Sequence, residues 1–238
     1  MSSIFYSLIF GIAALAGFES VILKPSLYAY AVAYFFLISI LGGVFFGKGA
    51  ARREIFLEKI LLFFLFLAGS MVLLLYFESG FVRHLFAIAA SAVLIMRSTF
   101  APGNGRGAIF AAIFTSFLAF IGAAALYGLN LFFSMSIWPL SVGALLLSAL
   151  LVYECAIAEE GGANPPMIIF GAIFASQIFL ALSFLPNSFY AAASIFTIFL
   201  FLYEEMLFRR DLEKAAKLRL LFSSFFLVAV IFVTAKWT

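Results

Sequence analysis

The sequence predicts an all-α integral membrane protein, a bundle of about nine transmembrane helices forming a single domain over residues 1–238. Composition is the first observation behind this prediction, because 66% of the residues are apolar and only 11% are charged. Ordinary soluble domains are about 45–50% apolar and about 25% charged. The second observation is that the apolar residues form long runs, and a spanning helix needs about 20 of them. The few charged and polar side chains cannot cover the surface of a water-soluble protein. Lipid is therefore the solvent for most of the chain.

Each apolar run is bounded by charged residues, proline or glycine, and the loops between runs are short. An isolated segment in hydrocarbon must satisfy its own backbone groups, so every run is predicted to be a helix. All six prolines fall at run edges or in loops, which predicts unbroken spans. Residues 110–116 recur weakly as 170–176, which suggests four repeated helical hairpins with a ninth helix appended. The runs, in chain order, cover residues 4–23, 27–46, 60–77, 81–96, 108–129, 137–156, 167–185, 188–207 and 220–235.

The distribution of Lys and Arg predicts the orientation, because cytoplasmic loops carry the excess of positive charge. One side holds 11 of the 14 basic residues, and the other holds only Lys24, Arg83 and Lys236. We therefore expect a prokaryotic cytoplasmic membrane, with the amino terminus in the cytoplasm and the carboxyl terminus outside. Removal of the first span as a signal peptide would leave the orientation of the other spans unchanged. The 11 residues are Lys48, Arg52, Arg53, Lys59, Arg97, Arg106, Arg209, Arg210, Lys214, Lys217 and Arg219.

Single copies of two reactive residue types limit the chemistry. Cys155 is the only cysteine and His84 the only histidine, so an internal disulfide is excluded and most transition-metal sites lack their ligands. No metal and no cofactor is predicted. The basic residues form no patch with interleaved aromatic residues, which argues against nucleic acid. The predicted partners are membrane lipids and other membrane proteins.

The most specific local pattern is the segment EEMLFR at residues 204–209, at the inner end of the eighth run. It resembles the paired-glutamate EExxxR motif of the CAAX-protease and bacteriocin-processing family, a group of intramembrane metalloproteases. The resemblance implies that Glu204 and Glu205 form a catalytic pair that activates a water, and that Arg209 is a structural arginine. That family also uses histidines from later helices, whereas no histidine follows Arg209 here. The alternative is a helical ion pair from Glu205 to Arg209, at the favourable i, i+4 spacing.

Counting residues from the end of each run estimates how deep a side chain lies in the membrane, and it places a second group of charged residues at one depth. Arg97, Glu154 and Glu204 each lie about 16 or 17 residues from the outer end of their runs, roughly 25 Å into a core of about 30 Å. An ionisable group there is costly unless it is paired or reaches the headgroups, so a bridge from Arg97 to one of the glutamates is one hypothesis. Two alternatives stay open: each group reaches the headgroups alone, or oxygen ligands hold a hard cation. The carboxylates for such a cation are those of Glu154, Glu159, Glu160, Glu204 and Glu205.

Several other residues are assigned structural roles. Gln177 is the only carboxamide deep in an apolar run, and we expect it to hydrogen-bond between helices. Gly42, Gly43 and Gly47 predict close helix packing in the second span. Arg83 and His84 are interpreted as a solvated pair at the outer interface. Cys155 is interpreted as a small packing residue.

What is absent from the spans narrows the function. Their central thirds hold no Asp, Glu, Lys, Arg or His, so a proton pump or an ion-coupled carrier would lack its working groups. We favour a non-catalytic, membrane-embedded component or scaffold. The alternatives are a carrier or scramblase for an apolar or lipid-like molecule, and a glutamate-dependent intramembrane hydrolase. The candidate functional cluster comprises Arg97, Glu154, Gln177, Glu204, Glu205 and Arg209.

Overall fold

The fold is all-helical in a computed structural model that describes residues 2–46, 53–99, 105–160, 165–185, 188–208 and 214–235. Within these ranges there are nine α-helices and one short 3-10 helix, Pro25–Leu27, and no strand. Each α-helix is long and apolar enough to cross a membrane. The predicted membrane bundle is therefore confirmed. The helices are α1 Ser2–Leu23, α2 Tyr28–Phe46, α3 Arg53–Tyr76, α4 Gly80–Thr99, α5 Gly105–Phe133, α6 Ile137–Glu160, α7 Pro165–Ser183, α8 Phe189–Phe208 and α9 Lys214–Thr234.

The helices match the nine apolar runs and extend beyond several of them. α3 begins at Arg53, seven residues before its predicted run, and its apolar span begins at Leu57, three residues before that run. The described prolines lie in the first turns of elements, which agrees with their predicted places at helix edges or in loops. Pro25 opens the 3-10 helix, while Pro165 and Pro166 open α7. The first turn of a helix tolerates proline because its N–H groups lack intrahelical acceptors.

Contacts divide the chain into two compact units, Met1–Leu118 and Ala119–Thr238, and the division falls within α5. In the first unit, α1 packs against α2 and α4, and α3 packs against the same two helices. In the second unit, α6, α7 and α8 pack against one another and α9 packs against α8. The single domain over residues 1–238 and the hairpin repeat stay predictions.

Aromatic rings and glycines fill the interior of the first unit. The Phe66 ring stacks on Phe114, with centroids 5.1 Å apart, and both side chains are buried. A Cβ atom on Gly43 would lie 2.3 Å from Ile60 Cγ1, and one on Gly42 would lie 2.8 Å from the Phe10 ring. The predicted close packing at Gly42 and Gly43 is therefore confirmed, whereas Gly47 lies outside the described residues.

Aromatic rings and a glycine also fill the interior of the second unit, but its last helix contributes little to that interior. Tyr127 stacks on Phe179 at 4.2 Å, and its hydroxyl donates to the Phe179 carbonyl oxygen at 2.9 Å. A Cβ atom on Gly122 would lie 2.4 Å from Leu147 Cδ2, so α5 and α6 approach closely there. By contrast, only Ser224 is buried among the described side chains of α9. That helix is therefore peripheral to its unit.

Candidate functional site

Glu204 and Cys155 form the polar contact between α8 and α6 in the second unit. The Cys155 thiol donates a hydrogen bond to the Glu204 carboxyl group. The second carboxyl oxygen, Oε1, is buried and has no hydrogen-bond partner among the described residues. An ionised carboxylate in such surroundings is costly because water is excluded from it. Cys155 thus has a polar role that its interpretation as a packing residue did not include.

Tyr203 positions this part of α8 against α7. Its hydroxyl donates to the Met167 carbonyl oxygen at 2.8 Å. Gly171 makes room for the ring, since a Cβ atom there would lie 2.4 Å from Tyr203 Cε1. The tyrosine therefore fixes the height of α8 one residue before Glu204.

The structure describes only some of the other charged residues predicted to lie near Glu204. Glu154 is 7% exposed and precedes Cys155 on α6, while Glu205 is half-buried and its charge acts on Glu204. Arg209 lies outside the described residues, so the third member of the EExxxR pattern has no described position. The side chains of Glu159 and Glu160 lie outside them too. Within the described ranges, no group of three His, Cys, Asp or Glu residues is arranged to hold a metal ion.

Arg97 is buried in protein near the carboxyl-terminal end of α4. Its side chain is 8% exposed, and its Cζ atom lies 5.8 Å from the centroid of the Phe114 ring, a cation–π distance. Such burial favours contacts inside the protein over independent contact with headgroups. Arg97 belongs to the first unit, whereas Glu154 and Glu204 belong to the second. The predicted bridge from Arg97 to either glutamate stays a prediction.

Gln177 lies on an exposed face of α7. Six residues separate it from the Ser183 end of its span and twelve from the Pro165 end, so it lies roughly 9 Å and 18 Å from the two ends. Its carboxamide makes no hydrogen bond with any described residue. The interhelical hydrogen bond predicted for Gln177 is therefore not made within the described part of the chain.

Sequence reasoning missed a contact between α1 and α4 in the first unit. His84 Nδ1 donates to the Glu19 carboxylate and lies 2.8 Å from Oε2 and 3.0 Å from Oε1. The neighbouring Arg83 Nε donates to the Phe77 carbonyl oxygen at 2.7 Å, so both residues have protein partners. The sequence held a signal for this contact, since Glu19 lies four residues before the end of run 4–23 and His84 lies three residues after the start of run 81–96.

Comparison with known proteins adds no relative. No protein-family model, no curated protein and no solved structure matches the chain. The function must therefore be inferred from the positions of the polar side chains in this chain. Glu204 Oε1 and the Gln177 carboxamide are two of the polar groups within the spans that have no partner among the described residues, as are the buried hydroxyls of Ser70 and Ser91.

Proposed function

We propose that the chain is a non-catalytic membrane component that binds another membrane protein through the exposed face of α7. The observation that supports this proposal is the exposed carboxamide of Gln177, which has no partner among the described residues and lies well inside an apolar span. In hydrocarbon, the groups that can satisfy a carboxamide are polar groups of a neighbouring helix.

The surroundings of Gln177 fit a helix as the partner. Phe170 and Phe174 lie about two turns and one turn before it on the same face, and their rings are nearly parallel, with centroids 6.5 Å apart. Ile173, four residues before Gln177, is 44% exposed. This face combines apolar area with one donor and acceptor group. A transmembrane helix that carries an amide or hydroxyl side chain would satisfy the carboxamide and cover the rings.

Site-specific photocrosslinking in native membranes tests the proposal. A photoreactive amino acid at Ile173 should give one defined protein adduct, while the same group at the exposed Leu146 of α6 should not. Gln177→Leu should weaken recovery of that adduct about threefold to thirtyfold, the range expected for one interhelical hydrogen bond. Gln177→Asn, which keeps the carboxamide, should restore most of it. Equal adducts at Ile173 and Leu146, or an adduct unaffected by Gln177→Leu, would refute the proposal.

The two alternative functions predict different results in the same membranes. A carrier or scramblase for an apolar molecule would yield lipid adducts at Ile173 and a specific co-purified lipid in place of a protein. A hydrolase that uses Glu204 would lose activity in Glu204→Gln while the Ile173 adduct stayed intact. Burial of Glu204 Oε1 beside the Cys155 thiol donor supports that second alternative.

A further inference from the structure

A cavity of about 240 Å³ opens on the surface of the first unit between α1 and α2. Small residues form its floor, since Gly17 and Ala31 are buried and Ala16 adds no bulk. Tyr30 is 74% exposed and Tyr34 is 37% exposed, so two aromatic rings flank the opening. The full lining consists of Ala16, Gly17, Ser20, Leu27, Tyr30, Ala31 and Tyr34.

The shape of the cavity is fixed by packing within the hairpin. The Tyr34 hydroxyl donates to the Ala13 carbonyl oxygen at 2.9 Å, which ties α2 to α1. Gly17 allows this approach, because a Cβ atom there would lie 2.5 Å from Phe35 Cε1 and 2.8 Å from Tyr34 Cε1. The cavity is therefore built into the contact between the two helices.

Its depth matches one leaflet of a bilayer. The first span ends at Leu23 and the second begins at Pro25, so the turn between them lies at the membrane boundary. Ser20 and Gly17 then lie roughly 5 Å and 9 Å below that boundary, and Tyr34 roughly 13 Å below it. Half of a hydrocarbon core is about 15 Å thick. The cavity thus runs from the headgroup level almost to the midplane.

A lysine lies in the turn next to the open end of the cavity. Lys24 is exposed and falls between the two spans. Its backbone N–H donates to the Ser20 carbonyl oxygen at 3.0 Å, and its own carbonyl oxygen accepts from the Leu27 N–H at 3.0 Å. Both of these neighbours line the cavity. The backbone of Lys24 is thereby fixed at the membrane boundary, the level at which a phospholipid carries its phosphate.

We propose that this cavity binds a glycerophospholipid, with one acyl chain against Ala16 and Ala31 and the phosphate at Lys24. A transmembrane helix does not fit, because a cylinder about 10 Å in diameter would fill several times this volume over the same depth. An acyl chain is a narrow file of methylene groups, and in hydrocarbon it gains van der Waals contacts with the cavity wall rather than escape from water. The lysine adds charge complementarity at the headgroup.

The test uses the full-length protein in phosphatidylcholine nanodiscs that contain phosphatidylglycerol with a photoreactive diazirine in one acyl chain. Peptide mapping after irradiation should find adducts concentrated on the cavity-lining residues of α1 and α2. Ala16→Phe places a ring in the cavity from its exposed side and should reduce these adducts about tenfold, because the ring occupies the space of the acyl chain and removes its packing contacts. Ala33→Phe is the matched control, an exposed alanine of α2 outside the lining, and should leave the adducts unchanged.

The headgroup contact is tested with charge variants at Lys24. Lys24→Gln should lower the yield of adducts about fivefold at low ionic strength, and Lys24→Arg should restore it. If thermal unfolding shows that Ala16→Phe does not fold, Ala16→Leu is used in its place to fill the cavity. Adducts spread evenly over exposed helices, or unchanged by both Ala16 variants, would overturn the proposal. Crosslinks from the cavity to a second copy or to another protein would overturn it as well.

Discussion

Each of the two units has a glutamate within an apolar span that contacts a side chain of another helix. The hydrogen bonding of the two carboxyl groups differs. In the first unit, Glu19 accepts from His84 at 2.8 Å, and the two side chains are 31% and 44% exposed. In the second unit, Glu204 accepts from the Cys155 thiol while its Oε1 atom is buried and without a partner among the described residues. The first arrangement gives the carboxylate a hydrogen-bond donor near the ends of two spans. The second leaves a polar atom unsatisfied, which is common where a protein trades stability for function.

The largest expected effect comes from replacing the two glutamates by methionine, which is close to them in volume. Glu204→Met should raise the free energy of unfolding by about 1–3 kcal/mol, because it removes an unsatisfied buried oxygen. Glu19→Met should instead lower it, by about 1 kcal/mol or less, since a partly exposed pair is lost. Thermal unfolding in nanodiscs measures both. Changes of the same sign in the two variants would mean that the glutamates are not in contrasting environments.

A smaller effect is expected from the donor in the second unit. Cys155→Ala should lower the free energy of unfolding by about 1 kcal/mol, because Glu204 then loses the thiol that donates to it. Cys155→Ser keeps a donor of similar size and is the control, expected to be close to wild type. The same unfolding measurement applies. If the alanine and serine variants are equally stable, the hydrogen bond from residue 155 contributes nothing and Cys155 only fills space.

The smallest effect is expected for the pair in the first unit. A double-mutant cycle with His84→Ala and Glu19→Gln should give a coupling of about 0.2–1 kcal/mol, since both side chains are partly exposed. The coupling should decrease at high salt, because ions screen exposed charges. A cycle between Cys155 and Glu204, measured in parallel, should be less sensitive to salt. Additive effects of the two substitutions in the first unit would show that the contact there is not energetically coupled.

The helices could be predicted from the sequence because their cause is local. Each run of about 20 apolar residues has one low-energy form in hydrocarbon, so all nine helices appear where the runs are. Their ends were less accurate, as at Arg53, since four charged residues interrupt the apolar residues in the first turns of α3. Close packing at Gly42 and Gly43 was also predictable, because only a missing Cβ permits such an approach.

The contacts between side chains were harder to predict because the helices are apolar on every side. Without a polar face, the sequence does not indicate which side of α7 points inward, and Gln177 was expected to face another helix of the chain. Cys155 and Glu204 are separated by 49 positions along the chain, and Glu19 and His84 by 65. Depth counting gives such pairs a common level, but the rotation of each helix about its axis comes only from packing.

The length of α5 has a consequence for the surrounding bilayer. Its apolar span, Phe110–Phe133, has 24 residues and is roughly 36 Å long, whereas spans of 20 residues measure roughly 30 Å. A segment longer than the hydrocarbon is thick either leans away from the bilayer normal or thickens the lipid around it. Hydrophobic mismatch of this size makes the protein sensitive to acyl-chain length, so bilayers with longer chains should accommodate α5 with less distortion.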